Sequence, residues 1–232
     1  MQNNIKRIVA GVIAALLLGC AAPASAATPR EMITTAAFQT TDKQAALNQI
    51  KGAIAAAEAE LAADPKDREA QMQRAAGIGY RAKLTRNSGD AKTAHRLFQA
   101  LAAANPRDPE AQMLLAGWNL DAVADLGSFL AGMALGAKPA AGTAALERAV
   151  ALGRGHAFFP GFAALMRIRL NPDDVATATT LAQTALTAGT ATPLDRIGRR
   201  VAEQVLVPLR SGDGKAAAAM ARTLLPFGRL AK

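Results

Sequence analysis

Residues 64–77 read D-P-K-D-R-E-A-Q-M-Q-R-A-A-G, and residues 105–117 read N-P-R-D-P-E-A-Q-M-L-L-A-G. A shift of 41 places Pro65 on Pro106, Asp67 on Asp108 and Glu69 on Glu110. The same shift places Ala70, Gln71, Met72 and Ala75 on Ala111, Gln112, Met113 and Ala116. A second echo pairs Ser88-Gly89-Asp90-Ala91-Lys92-Thr93-Ala94 with Ser211-Gly212-Asp213-Gly214-Lys215-Ala216-Ala217, at a shift of 123, three times the first. Self-similarity at a period of a few tens of residues marks stacked helical units, none of which buries its apolar face alone.

Outward from this pair the chain reads as helix nearly throughout, an all-α protein with no convincing strand. Thr28-Pro29-Arg30-Glu31 has a capping residue, Pro at the first helical position and Glu at the third. Asp108-Pro109-Glu110, Asn171-Pro172-Asp173-Asp174 and Thr192-Pro193-Leu194-Asp195 follow the same grammar, and their acids suit the positive end of a helix. Thr41-x-x-Gln44 reads as a capping box, ahead of a stripe formed by Leu47, Ile50, Ile54, Ala57 and Leu61. Asn87–Asp90, Gly153–Gly155, Gly189 and Ser211–Gly214 read as helix-ending turns. The spacing predicts helices near 29–39, 42–63, 68–86, 90–104, 109–125, 143–152, 159–170, 172–188, 193–210 and 214–225. Short links between them predict antiparallel hairpins. Leu126–Ala141, apolar and rich in Gly, fits either a short buried helix or a long irregular connection, and is too short to span a membrane.

These hairpins resemble the tetratricopeptide-repeat superfamily, through Gly89, Asp90, Ala94, Phe98, Leu101 and Pro106 at that family's spacing. The resemblance implies a right-handed solenoid of αα-hairpins over residues 28–232, with no β-sheet. It also implies that Ala94 is where the two helices of a hairpin touch, and that Pro106 ends the second helix. The period departs from the family's 34, but seven extra residues make about two helical turns, so the same face stays inward. Gln71 and Gln112 stand where the family usually carries an aromatic. The specific likeness covers roughly residues 45–120 and returns faintly near 205–225.

Residues 1–26 form an address. Lys6 and Arg7 precede an apolar run from Ile8 to Leu18, and Ala24-Ser25-Ala26 is a small-residue cleavage site, the grammar of a secretory signal peptide. Leu17-Leu18-Gly19-Cys20 also resembles a bacterial lipobox. Cys20 therefore has two readings, a lipidated first residue or a discarded apolar one. It is the only cysteine, so the mature chain has neither disulfides nor thiolate chemistry. Loss of Lys6 and Arg7 takes the formal charge from +9 to +7. Lys and Arg are scattered with no aromatic-interleaved basic motif, so nucleic acid is not an expected partner. With 51% apolar residues but only 4% aromatic, the expected core is close helix packing through Ala.

Catalytic grammar is thin. His95 and His156 lie in different elements, no His/Cys/acid set has metal spacing, and no phosphate loop or nucleophile elbow is present. Asp173-Asp174 reads as a helix start, and Asp121 with Asp125 as one exposed face. His156 lies in the Gly- and Phe-rich stretch 155–161, which reads as a turn with its aromatics plugged into the core, the alternative being a ligand site. No enzyme, cofactor or metal is expected. The expectation is binding by shape, with Glu69, Met72, Glu110 and Met113 lining a concave groove for a protein or peptide partner. The alternative for the same residues is packing between repeats. The expected role is thus a non-catalytic adaptor of the bacterial envelope, periplasmic and soluble or anchored through Cys20. The alternative role is a helical periplasmic component holding a small ligand for a transporter, with Leu126–Ala137 closing a pocket. A protein partner predicts an open groove, and a small ligand a cavity lined by that stretch.

Overall fold

The computed structural model describes residues 27–231, and the expected signal segment with Cys20 lies outside them. Among the described residues the chain forms eleven helices and no strand. They are α1 (Pro29–Phe38), α2 (Lys43–Ala63), α3 (Arg68–Thr85), α4 (Ser88–Ala104), α5 (Pro109–Leu126), α6 (Ser128–Leu135), α7 (Pro139–Leu152), α8 (Phe158–Leu170), α9 (Val175–Thr187), α10 (Pro193–Arg210) and α11 (Gly214–Leu224). No helix among them is long and apolar enough to cross a membrane.

Local chemistry accounts for most starts. Thr28 and Thr192 build full capping boxes with Glu31 and Asp195. Several expected starts differ: α4 begins at Ser88 behind its cap Asn87, two residues before the expected 90, and α7 at Pro139, four before the expected 143. Asp42, not Thr41, caps α2, because its carboxylate accepts from the Ala45 N–H at 2.6 Å. Residues 171–174 form a tight turn before α9 begins at Val175, since Asp174 is drawn to Arg167 at 2.6 Å. The ambiguous stretch resolves into α6 and the first turn of α7, bracketed by Gly127 and Gly136 at φ of 77° and 75°. That left-handed backbone is cheap only for glycine.

Neighbouring helices pack pairwise: α1 on α2, α3 on α4, α5 on α7, α8 on α9 and α10 on α11. Each pair also lies on the next, through α2 with α3, α4 with α5, α7 with α8 and α9 with α10. The arrangement is compatible with a helical repeat fold. Ala fills the crossings, with Ala36, Ala46, Ala75, Ala94, Ala116, Ala164 and Ala202 fully buried. At the α8–α10 crossing even Ala is too large, because a Cβ on Gly161 would come 2.4 Å from the Gly198 carbonyl oxygen.

Two main cores result, one from α1–α4 with the C-terminal Phe227 and one from α5 through α11 without α6, with Leu225; Phe38 and Leu115 pack against both. The first and last parts of the described segment meet. Phe227 N–H donates to the Ala37 carbonyl at 2.8 Å, and Ala231 N–H to the Thr41 carbonyl at 2.9 Å. Phe38 of α1 packs edge-on against Phe162 of α8, with ring centroids 5.4 Å apart.

Candidate functional site

The duplicated stretch folds the same way twice. Asp67 and Asp108 cap α3 and α5, and their N–H groups donate to the Asp64 and Asn105 carbonyls, both at 3.1 Å. Gln71 and Gln112 donate their side-chain amides to the Pro65 and Pro106 carbonyls, at 2.8 and 3.3 Å. That role accounts for Gln where the resembled family carries an aromatic: the amide fastens the preceding turn.

Glu69 and Glu110 converge on one partner, Arg30 in the first turn of α1. Its guanidinium donates to both Glu69 oxygens at 2.6 and 2.7 Å and to both Glu110 oxygens at 2.7 and 2.8 Å. Such double forks are the strongest charge-assisted geometry available to side chains. Burial disfavours the Arg30 cation, but its hydrogen bonds to the Glu69 and Glu110 carboxylates outweigh that and push its pKa up. Met72 and Met113, one turn further along, are 1% and 5% exposed. Both belong to the packed wall.

That wall bounds a half-open cavity of about 810 Å³, lined by α1, α3, α4, α5, α8, the first turn of α10, the end of α6 and the C-terminal residues Leu225 and Pro226. One end carries Arg30 and Glu110, at the first turns of their helices. The middle is apolar, with Phe38, Met113, Phe162 and Met166 facing in. The other end, at the last turns of α3, α5 and α8, carries Lys83, Asp121, Asp125 and Arg169. There Asp121 bonds both Lys83 and Arg169, and Arg169 also reaches Asp125. Asp121 and Asp125 are thus members of an ion network, and Asp121 is a half-buried one rather than part of an exposed face. Burial works against the Asp121 charge, yet Lys83 and Arg169 hold its pKa below the ordinary range. Leu126, Ala134 and Leu135, all within Leu126–Ala137, line the cavity.

No protein-family model, curated protein or solved structure matches this chain.

The aromatics near the cavity have defined jobs. Trp118 lines it, donates its indole N–H to the Ala91 carbonyl at 3.1 Å, and stacks on His95 with centroids 3.8 Å apart. Burial, and then Lys138, lower the His95 pKa, which keeps the stacked ring neutral at pH 7. Tyr80 also lines the cavity and packs edge-on against Phe227. Arg30 and Phe162 were not singled out by sequence reasoning, whereas Tyr80, the only Tyr, was read as either core or groove. Two glutamates recurring at equivalent positions were the one available signal, since they call for a shared cation.

A second cavity of about 530 Å³ lies by the turn at 153–157 and is lined in part by Glu147, His156, Arg167 and Thr184. His156 Nδ1 sits 3.0 Å from Asp195 Oδ2. The Asp195 carboxylate also accepts from Thr192 Oγ1 at 2.8 Å and from Phe158 N–H at 3.2 Å. No hydroxyl hydrogen-bonds the His156 ring among the described residues. The His156–Asp195 pair ties the turn to α10, beside a bridge in which Gly189 N–H donates to the Gly155 carbonyl at 2.7 Å. Among the described residues no cluster of three His, Cys, Asp or Glu could hold a metal ion.

Proposed function

We propose that this is a non-catalytic, tetratricopeptide-like binding protein of the bacterial envelope that holds a small, largely apolar ligand in its central cavity. The observation that carries the reading is the cavity itself, lined by Leu126 at the end of α5, by Ala134 and Leu135 of the Gly-bracketed α6, and by Phe38, Phe162 and Met166. Its volume falls within the roughly 300–1,000 Å³ usual for ligand sites, and an apolar middle with few polar groups is their usual chemistry. Glu69 and Glu110 are engaged by Arg30, and Met72 and Met113 are packed, which favours a preformed pocket over an adaptable peptide groove.

Titration with the neutral apolar probe N-phenyl-1-naphthylamine tests this. One saturable site per chain is expected, and Met166→Trp, which fills the half-buried middle, should abolish it without lowering the melting temperature. Absence of saturable uptake rejects the reading. The adaptor reading for a protein or peptide partner then stands, favoured by Phe129, Leu130 and Met133 of α6, which are 74%, 56% and 73% exposed. Placement in the envelope rests on Lys6, Arg7, the apolar run and Ala24–Ala26. Intact-mass analysis should find a soluble chain starting at Ala27 or an acylated one starting at Cys20. An unprocessed Met1 would reject export.

A further inference from the structure

Four cations line the central cavity: Arg30, Lys83, Arg86 and Arg169. Three are neutralised inside the protein, Arg30 by Glu69 and Glu110, Lys83 by Asp121, and Arg169 by Asp121 and Asp125. Arg86 makes no ion pair among the described residues. Its backbone is also unusual, since it ends α3 in the left-handed region at φ 56° and ψ 32°. Asn87, the next residue, would adopt that conformation at lower cost. Strained non-glycine backbone clusters at sites that bind or react.

A second polar group at the cavity lacks a partner. The Tyr80 hydroxyl makes no hydrogen bond among the described residues, although Tyr80 is half-buried on the cavity wall. Burial, and then the Asp121 carboxylate, push its pKa up, so it stays a phenol able to donate. An unpaired guanidinium and an unpaired phenol O–H both call for an acceptor. A planar guanidinium suits carboxylate and phosphate oxygens.

We propose that the cavity takes an amphipathic anion, its carboxylate or phosphate-monoester head seated on Arg86 and its apolar body on the belt of Phe38, Phe162 and Met166. The distribution of charge fits one orientation. The ion network around Arg30 at the opposite end is already saturated, while the Arg86 end holds the uncompensated cation and the free donor. Apolar surface joins the two, so a ligand with one charged end and an extended hydrocarbon body keeps its charge on the exposed Arg86 and its apolar part on the cavity wall. The proposal rests on the cavity being a small-ligand site.

The test titrates the full mature chain with dodecanoate, dodecyl phosphate and 1-dodecanol and follows fluorescence of Trp118, the only tryptophan, on the cavity wall. The parent should bind an anion at least roughly tenfold more tightly than the alcohol, the scale of one charge-assisted hydrogen-bond pair. Whichever anion binds tighter identifies the head as carboxylate or phosphate. Arg86→Gln should remove that preference and leave dodecanol affinity unchanged, Arg86→Lys should restore part of it, and Tyr80→Phe should weaken anion binding alone. Arg86 is exposed and unpaired, so these variants keep the parent's melting temperature. Equal affinity of the parent for anion and alcohol, or an unaffected Arg86→Gln, overturns the anion head while the apolar site stands. If none of the three probes binds, the small-ligand reading falls with it.

Discussion

Arg30 shows how one side chain organises the duplicated glutamates. Its fork ties α1 to α3 and α5 at once, so both copies of the repeat are read by a single cation. One turn on, Met72 and Met113 fill the wall behind the ion cluster. Changing both to Ser should cost about 2–5 kcal/mol for each, the scale of large-to-small core changes. Circular dichroism melting checks this; an unchanged midpoint would mean that neither side chain packs as described. Asp195 has a different signature. Burial raises its pKa, but His156, Thr192 and Phe158 outweigh that and hold it below the ordinary value of about 3.9. Its folded-state pKa is depressed, so its contribution is complete above the ordinary value and is lost as pH falls through the lower one. Asp195→Asn should therefore melt earlier than the parent at pH 7, with the gap closing as pH falls through the lowered pKa of Asp195. A gap that persists unchanged in acid would remove the charged carboxylate as its cause.

At the scale of elements, the α3–α4 hairpin is set by small residues facing each other. Ala94 is fully buried, and a Cβ on Gly79 would lie 3.5 Å from the Ala94 Cβ and 3.2 Å from Phe98. Ala94→Leu should overpack this crossing and cost roughly 1–3 kcal/mol. Lys92→Leu, two residues earlier on the exposed face, should cost little. Equal melting temperatures for the two variants would contradict the crossing. The helix starts and stops that could be read in advance are those fixed locally, by Thr28, Asp108, Thr192 and Gly153. Of the starts that shifted, those at Asp42 and Val175 lie where two adjacent polar residues compete for one cap. Tertiary contact decided the second, through Arg167 on α8.

For the whole molecule, closure through the C-terminal segment is the distinctive feature. Phe227 is 8% exposed, packs edge-on against Tyr80 and bonds the end of α1. It therefore links the last helix to the first hairpins, and Leu225 and Pro226 beside it wall the cavity. Phe227→Ala should cost about 3–5 kcal/mol, a fall of roughly 6–20 °C at about 2–4 °C per kcal/mol for a chain of this size. It should also loosen probe binding. A normal melting temperature would show that these first and last parts do not support each other.

The sequence by itself determined the all-helical class, most helix limits and the duplicated turn, because these depend on residues within one or two turns of each other. The role of Gln71 and Gln112 is local too, although the expected aromatic pattern hid it. What only the tertiary structure decided involves residues far apart in the chain. Arg30 meets glutamates 39 and 80 residues away, and Phe38 packs on Phe162 in the cavity wall. Asp121 joins Lys83 and Arg169, and Phe227 returns to α1. Periodicity tells which face of a helix is buried. It carries no information on which distant face covers it, and the cavity exists only where those faces fail to close completely.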